Sequence, residues 1–284
     1  MKKILIPTDF SATAYNAAIF GLQIAAATHA EQVVLFNAFQ TPVNVGPDPM
    51  VSTIEAFDFE SIKKDAFSSL EIFKQNIAVH NTGKVDIKLL AESCILSVDI
   101  DSICNVNDID LIIMGITGGT TLAEAFVGSN TLQVSKNTNV PLLIIPQDAT
   151  FNPLQNILLV SDYNDVENST PVGSISRILD DTKANLFILH IDEEYNDDEV
   201  KKSKAIDSLS KMFTNYTPEF YTGSNSSFVE SVNDFIQLKG VDLVIIVPKK
   251  RGFPDNLLHQ SYSKSLAFHT HIPLMLIKNK QQIN

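Results

Sequence analysis

The feature that most constrains this chain is a weak internal duplication of its apolar segments. Residues 4–9 (ILIPTD) are echoed at an offset of 153 positions (157 − 4) by residues 157–162 (ILLVSD), and each run ends in a hydroxyl residue and a carboxylate. Three further pairs of blocks match in the same order: 33–37 with 186–190, 110–114 with 242–246, and 140–145 with 272–277. Four matched pairs indicate two copies of one unit, with predicted domains at 1–148 and 149–284.

The matched runs are short, rich in β-branched residues and continuous rather than alternating. This pattern is typical of strands buried on both faces of a parallel sheet. Between them lie helical patterns, such as the apolar positions at 62, 66, 70, 73 and 77. Because strands and helices alternate in both copies, we predict an α/β protein with two doubly wound, Rossmann-like domains.

The offset between the copies falls from 153 to 132 positions (242 − 110) because the first copy contains an extra segment at about 40–59. This segment is rich in proline and small residues. By its length we predict a loop, and loops of this size are often lids or binding loops. A surface loop without such a role is equally compatible with the sequence.

Charge and composition limit the classes of partner. The formal net charge is −12 and the pI is about 4.8, which disfavours nucleic acid and anionic membrane surfaces. No apolar run approaches the roughly 20 residues of a membrane span, and no secretory signal opens the sequence. Cys94 and Cys104 form no disulfide or zinc pattern, so we predict buried thiols and a cytoplasmic location.

A glycine-rich stretch follows the fourth strand of the first copy. Gly115 and Gly118 flank a two-residue turn, and Gly128 precedes Ser129 nine residues later. Such a loop lies at the carboxyl edge of a parallel sheet, where ligands of open α/β folds bind, and glycine lets the backbone approach a phosphate. Ser129 is predicted to begin the next helix, whose first free amides can face an anion.

With Asp9, the end of the second strand at Asn37 and Ala38, and the closing Val140-Pro141 strand, these glycines make the sequence resemble the universal stress proteins, specifically their ATP-binding branch. The resemblance implies two five-stranded domains of the adenine nucleotide alpha hydrolase-like fold. Members of this family typically pair through their last strands, so it also implies an intrachain pseudo-dimer. The site residues it implies are Asp9 and Ala38 at the adenine and ribose, with Gly115, Gly118, Gly128, Ser129 and Asn130 along the triphosphate.

Two departures from the family pattern concern charge and the second copy. Many members have a basic residue in the first glycine turn, whereas no Lys or Arg occurs here from Leu89 to Ser135, so phosphates would be met by amides, hydroxyls and a metal ion such as magnesium. In the second copy Val247, Lys250 and Gln260 replace the three glycines, which predicts a degenerate loop. The basic cluster at 249–251 could bind another anion or be a solvated turn.

The remaining polar candidates are few. Asp9 is assigned to the ligand site, and Asp162 to a helix cap. The pair His269 and His271 is interpreted as structural, with a zinc pair as the lesser alternative, and His190 is unassigned. No metal ligands and no catalytic residues are proposed from the sequence.

Signatures of common enzyme classes are absent from the sequence, including the P-loop and the nucleophile elbow, so binding is favoured over turnover. The leading hypothesis is a stress-response protein that binds ATP or AMP in the first copy, changes segment 40–59 on binding, and so interacts with protein partners. Slow ATP hydrolysis is compatible with this. A nucleotide-free interaction scaffold and an adenylate-using enzyme are the alternatives, and further homodimerisation is left open.

Overall fold

The structure, a computed structural model, describes residues 1–40, 51–116, 129–191, 199–223, 228–248 and 272–279. Within these ranges the chain forms ten strands and eight helices. The strands are β1 Lys3–Pro7, β2 Gln32–Phe39, β3 Asp86–Ser93, β4 Leu111–Ile116, β5 Leu142–Pro146, β6 Asn156–Val160, β7 Asn185–Ile191, β8 Glu219–Gly223, β9 Leu243–Ile246 and β10 Leu274–Leu276. The helices are α1 Ala12–Ala27, α2 Val51–Ile77, α3 Leu96–Asn107, α4 Ser129–Asn137, α5 Val166–Ser169, α6 Val172–Thr182, α7 Glu199–Met212 and α8 Phe228–Lys239.

All ten strands belong to one sheet, in the order β3-β2-β1-β4-β5-β10-β9-β6-β7-β8. Every neighbouring pair is parallel except β5 and β10, which are antiparallel. Read outward from this central pair, the strand order of residues 1–148, the first half, is repeated by residues 149–284, the second half. The α/β class and the largely parallel sheet are thus confirmed.

The register of the central pair is symmetric. Leu143 lies opposite Met275, while Leu142 pairs with Leu276 and Ile144 with Leu274. Leu143 and Met275 are 132 positions apart (275 − 143), which is the offset between the copies in this part of the sequence. A pseudo-twofold axis therefore passes through this pair, as expected where equivalent strands meet at an isologous contact. The symmetric register supports the predicted duplication.

Helices cover both faces of the sheet, and each face has its own apolar core. One core joins α1, α2, α6 and α7 to alternate strand residues such as Ile4 and Ile6. The other joins α3, α4 and α8 to the intervening residues, such as Leu5. Because neighbouring residues of one strand enter opposite cores, the strands require the continuous apolar runs seen in the sequence.

The prediction of a loop at 40–59 is wrong for its second part. Helix α2 begins at Val51 and continues to Ile77 as one element. Residues 41–50 lie outside the described residues. Within the described ranges, no helix combines the length and the apolar content needed to cross a membrane.

Candidate functional site

A tight turn at the carboxyl end of β1 positions Asp9. Thr8 Oγ1 accepts a hydrogen bond from the Phe10 amide (2.9 Å), and Asp9 Oδ1 accepts one from the Ser11 amide (3.0 Å). Phe10 has a φ of 64°, the left-handed region that reverses the chain. Ser11 rather than Asp9 caps α1, since its Oγ accepts from the Ala14 amide (3.2 Å). Within the described ranges, the second Asp9 carboxylate oxygen accepts no hydrogen bond.

Asn37 ties the end of β2 to this turn. Its side chain is buried, and Nδ2 donates to the Thr8 carbonyl over 2.8 Å. The Thr8 amide in turn donates to the Phe36 carbonyl (2.8 Å). These bonds hold the turn beside Ala38, so Asp9 and Ala38 belong to one surface.

Gly115, near the end of β4, lies against the first turn of α1. A Cβ at this position would stand 2.6 Å from both the carbonyl oxygen and Cγ2 of Thr13. Glycine is therefore required here by the close approach of helix and strand. The Gly115 carbonyl accepts a hydrogen bond from Thr131 Oγ1 (3.0 Å), which fixes the start of α4 at the same edge.

The ends of β1, β2 and β4 and the starts of α1, α3 and α4 enclose a cavity of about 630 Å³. A volume of this size is typical of small-molecule sites. The residues lining the cavity are Pro7, Thr8, Asp9, Ser11, Thr13, Ala14, Phe36, Asn37, Ala38, Gln40, Cys94, Ile95, Leu96, Ser97, Met114, Gly115, Asn130 and Thr131.

The cavity brings together four of the residues predicted from the sequence, namely Asp9, Ala38, Gly115 and Asn130. Helix α4 begins at Ser129, where the sequence analysis places a helix start. Gly118 and Gly128 lie outside the described residues.

The wall formed by the start of α3 is absent from the sequence predictions. Cys94, predicted to be a buried thiol, is only half-buried and lines the cavity beside Ile95 and Leu96, whereas Cys104 is buried as predicted. Burial raises the pKa of the Cys94 thiol to about 11, and the charges of Asp99 and Glu92 add to the rise. Cys94 is therefore protonated at neutral pH and presents a neutral surface. The signal that could have predicted this wall is the position of β3, which ends beside β2.

The corresponding edge of the second half has the same turn with different side chains. Asp162 Oδ1 accepts from the Asn164 amide (2.9 Å), and α5 begins after Asp165. The predicted helix cap at Asp162 is therefore wrong, because its carboxylate closes the turn instead. His190 is the counterpart of Asn37, and its Nδ1 lies 3.0 Å from the Ser161 carbonyl.

Several predicted features of the second half lie outside the described residues. They are the basic cluster at 249–251, together with Gln260, His269 and His271. Val247, the counterpart of Gly115, is described, and its side chain is buried.

Comparison with known protein families shows which family this chain is related to. The model described as "Universal stress protein family" matches residues 1–146. The chain belongs to the universal stress protein family. Universal stress protein MJ0577 from Methanocaldococcus jannaschii is 29% identical over 156 residues, which cover 51% of this chain and 94% of that protein.

Solved structures extend the likeness in fold to the whole chain. A universal stress protein from Archaeoglobus fulgidus superposes with a TM-score of 0.69 at 15% identity and covers 98% of this chain and 96% of its own. The functionally unknown protein PA1789 from Pseudomonas aeruginosa gives a TM-score of 0.57 at 13% identity, over 100% of this chain and 94% of its own. At these identities the likeness concerns the fold alone. The cavity lies in the half that the universal stress protein family model matches.

Proposed function

We propose that the first half binds an adenine nucleotide in the cavity at the carboxyl ends of β1, β2 and β4. The observation that supports this most is the convergence of Asp9, Ala38, Gly115 and Asn130 on one cavity. These residues come from four separate parts of the sequence, and each was assigned to the ligand from its resemblance to the family. Open α/β sheets bind ligands at this edge.

The parts of the cavity suit different parts of a nucleotide. Phe36, Met114 and Leu96 offer apolar surface to a base, and Asp9 offers a carboxylate to ribose hydroxyls. The free amides at the starts of α1 and α4 suit a phosphate. A magnesium ion would enter with the phosphates, whose oxygens would be its ligands.

Binding is expected to be transmitted to α2. Phe10, which follows Asp9, packs edge-on against Phe73 of α2 with ring centroids 5.8 Å apart. Phe39, which follows Ala38, lies 5.8 Å from Phe59 at the other end of the helix. A ligand that orders either segment would therefore order α2, and we propose that this change governs interaction with protein partners in the stress response.

Calorimetric titration with ATP and with AMP, each with and without Mg²⁺, tests the proposal. We expect saturable binding that Ala38→Phe abolishes, because the new ring would fill the cavity. Ala27→Phe is the matched control, since Ala27 is exposed near the end of α1 away from the cavity. Equal binding by both variants, or no binding by the parent protein, would refute the proposal, and the latter result would favour the nucleotide-free scaffold.

Amide hydrogen exchange tests the transmission to α2. We expect exchange in the part of α2 around Phe59 to slow when nucleotide is bound, and Phe59→Ala to remove this effect while leaving affinity within about twofold. Unchanged exchange under saturation would show that α2 does not respond to the ligand.

A further inference from the structure

The charge on the cavity wall is unusual for a nucleotide site. Asp9 and Cys94 are the ionisable residues on the described lining, and Cys94 is neutral at neutral pH. The described lining therefore carries a single formal charge, which is negative. The protein as a whole has a net charge of −12, so the surrounding field has the same sign.

The sequence shows that the same lack of basic side chains extends along the carboxyl edge of the first half. No Lys or Arg occurs from Ile4 to Ile62 or from Leu89 to Ser135, and these two stretches contain every residue on the described lining and the full connection from β4 to α4. Lys3 is engaged with Asn107 and Asp108 before the start of β4, and Lys63 lies over the ring of Phe59. Since β10 is antiparallel to β5 and parallel to β9, β9 ends at the edge of the sheet opposite the cavity.

The polar atoms of the cavity include acceptors that need donors. Asp9 uses Oδ1 for the Ser11 amide, which leaves Oδ2. Asn37 uses Nδ2 for the Thr8 carbonyl, which leaves Oδ1 as an acceptor with no donor among the described residues. A carbonyl oxygen accepts hydrogen bonds and cannot donate them. The Asn37 atom that faces the Thr8 carbonyl must therefore be Nδ2, and the other side-chain amide atom is the oxygen. These acceptors fit the amino and hydroxyl groups of a nucleoside.

Among the described residues of the lining, the groups that suit an anion are hydroxyls and the starts of α1 and α4. A helix amino terminus carries roughly half a positive charge. The starts of α1 and α4 together supply about one positive charge. A single phosphate brings about two negative charges toward the Asp9 carboxylate. A triphosphate without metal brings about four, so it leaves much more negative charge uncompensated. Building on the proposed function, we infer that the cavity selects an adenine nucleoside or a nucleotide with a single phosphate, such as AMP, and disfavours metal-free ATP.

A charge series measured at two ionic strengths tests this inference. Adenosine, AMP and ATP are titrated without divalent metal at about 0.01 M and about 1 M salt, between which the Debye length falls from about 30 Å to about 3 Å. At low salt we expect adenosine and AMP to bind on the order of tenfold more tightly than ATP. High salt should raise the affinity for ATP, because it screens repulsion, and leave adenosine within about twofold.

The outcomes separate this inference from the proposed function. ATP binding most tightly at low salt and weakening as salt rises is the behaviour of a basic site, and it would overturn the inference while supporting the nucleotide site. No binding of any of the three compounds would overturn both.

A gain-of-function variant gives an independent test. Asn130 is exposed at the start of α4 and lines the cavity, so Asn130→Lys places a cation where phosphates would lie. We expect it to raise the affinity for ATP relative to that for adenosine on the order of tenfold. Asn105→Lys makes the same charge change at an exposed position near the other end of α3 and should leave the ATP to adenosine ratio unchanged. An unchanged ratio in Asn130→Lys, or an equal shift in both variants, would overturn the inference.

Discussion

The two halves contain the same turn after their first strands, but the aromatic residue of the turn is in a different environment in each half. Phe10 and Tyr163 occupy equivalent positions, with φ values of 64° and 55°. Phe10 is 38% exposed and faces α2. Tyr163 is 4% exposed and stacks on His190 with ring centroids 4.4 Å apart. The backbone of this turn is thus preserved, while its aromatic residue is partly exposed in the first half and packed against a histidine in the second.

The first helix of each half shows a second difference. In the first half α1 runs unbroken for 16 residues and begins against Gly115. In the second half the corresponding stretch is divided into α5, with 4 residues, and α6, with 11. Val247 stands where the first half has Gly115, and its side chain is buried. Gly115 at the end of β4 permits the close approach of α1, and it also lines the cavity beside this contact.

Substitution at Gly115 should give the largest effect. In Gly115→Ala the new Cβ would lie 2.6 Å from the Thr13 carbonyl oxygen, so backbone must move, and we expect a loss of about 3 kcal/mol in the free energy of unfolding. Gly173→Ala in α6 is the matched control, because a Cβ there meets nothing within 4 Å and alanine favours a helix by about 0.5 to 1 kcal/mol. Urea denaturation measures both. Losses of similar size at the two positions would contradict the packing role of Gly115.

Asp110 and Asp242 allow the next comparison, since they perform the same task in the two halves. Asp110 Oδ2 accepts from the amides of Lys2 and Lys3 at 2.8 and 3.2 Å, and Asp242 Oδ2 accepts from those of Gln155 and Asn156, both at 2.9 Å. Replacing either aspartate by alanine should cost about 2 kcal/mol, as two hydrogen bonds to a carboxylate are lost.

Replacing Asp110 by alanine should lower the free energy of unfolding slightly more than replacing Asp242. Its Oδ1 also accepts from Arg177 of the second half at 3.2 Å, an exposed ion pair that contributes about 0.5 kcal/mol. Denaturation at about 0.1 M and about 1 M salt should show this excess disappearing. An excess that persists at high salt would mean that Arg177 contributes through packing.

Alkaline pH should weaken the first half through Cys104. Burial raises the pKa of this thiol from 9.0 to about 12, and Asp101 adds to the rise. Between these values the folded protein retains the proton and the unfolded chain loses it. The free energy of unfolding therefore falls as pH rises above 9, by at most about 1.4 kcal/mol per pH unit for this group. Cys104→Ala should flatten this slope between pH 9 and 12, and an unchanged slope would refute the assignment.

The sequence predicts the sheet better than it predicts the site. Continuous apolar runs indicate strands buried on both faces, and the structure confirms this for residues such as Ile4 and Leu5. The helix beginning at Val51 was missed because the prolines at 42, 47 and 49 obscured the apolar pattern that continues from it into 62–77. Local composition could not show where the proline-rich part ends.

The cavity depends on contacts between segments that are distant in sequence. The bond from Asn37 to the Thr8 carbonyl joins residues 29 positions apart, and nothing in either segment alone announces it. The glycine at 115 was interpreted through phosphate approach, whereas the structure shows that packing against Thr13 already demands it. A glycine motif indicates that backbone comes close to something, and only the fold shows what that is.

The smallest expected effect on the free energy of unfolding is that of a substitution at Tyr163, and the sign of this change distinguishes two interpretations. The Tyr163 hydroxyl is buried and has no hydrogen-bond partner in the part of the chain that the structure describes, and burial raises its pKa to about 12. Tyr163→Phe copies the first half and removes an unsatisfied polar group, so it should leave the free energy of unfolding unchanged or raise it by up to about 1 kcal/mol. Tyr216→Phe is the control, since its hydroxyl contacts Asp180 Oδ1 at 3.0 Å, and its removal should cost about 1 kcal/mol. If Tyr163→Phe instead costs as much as Tyr216→Phe, the hydroxyl must be satisfied in solution, and the ring pair would be held by more than stacking.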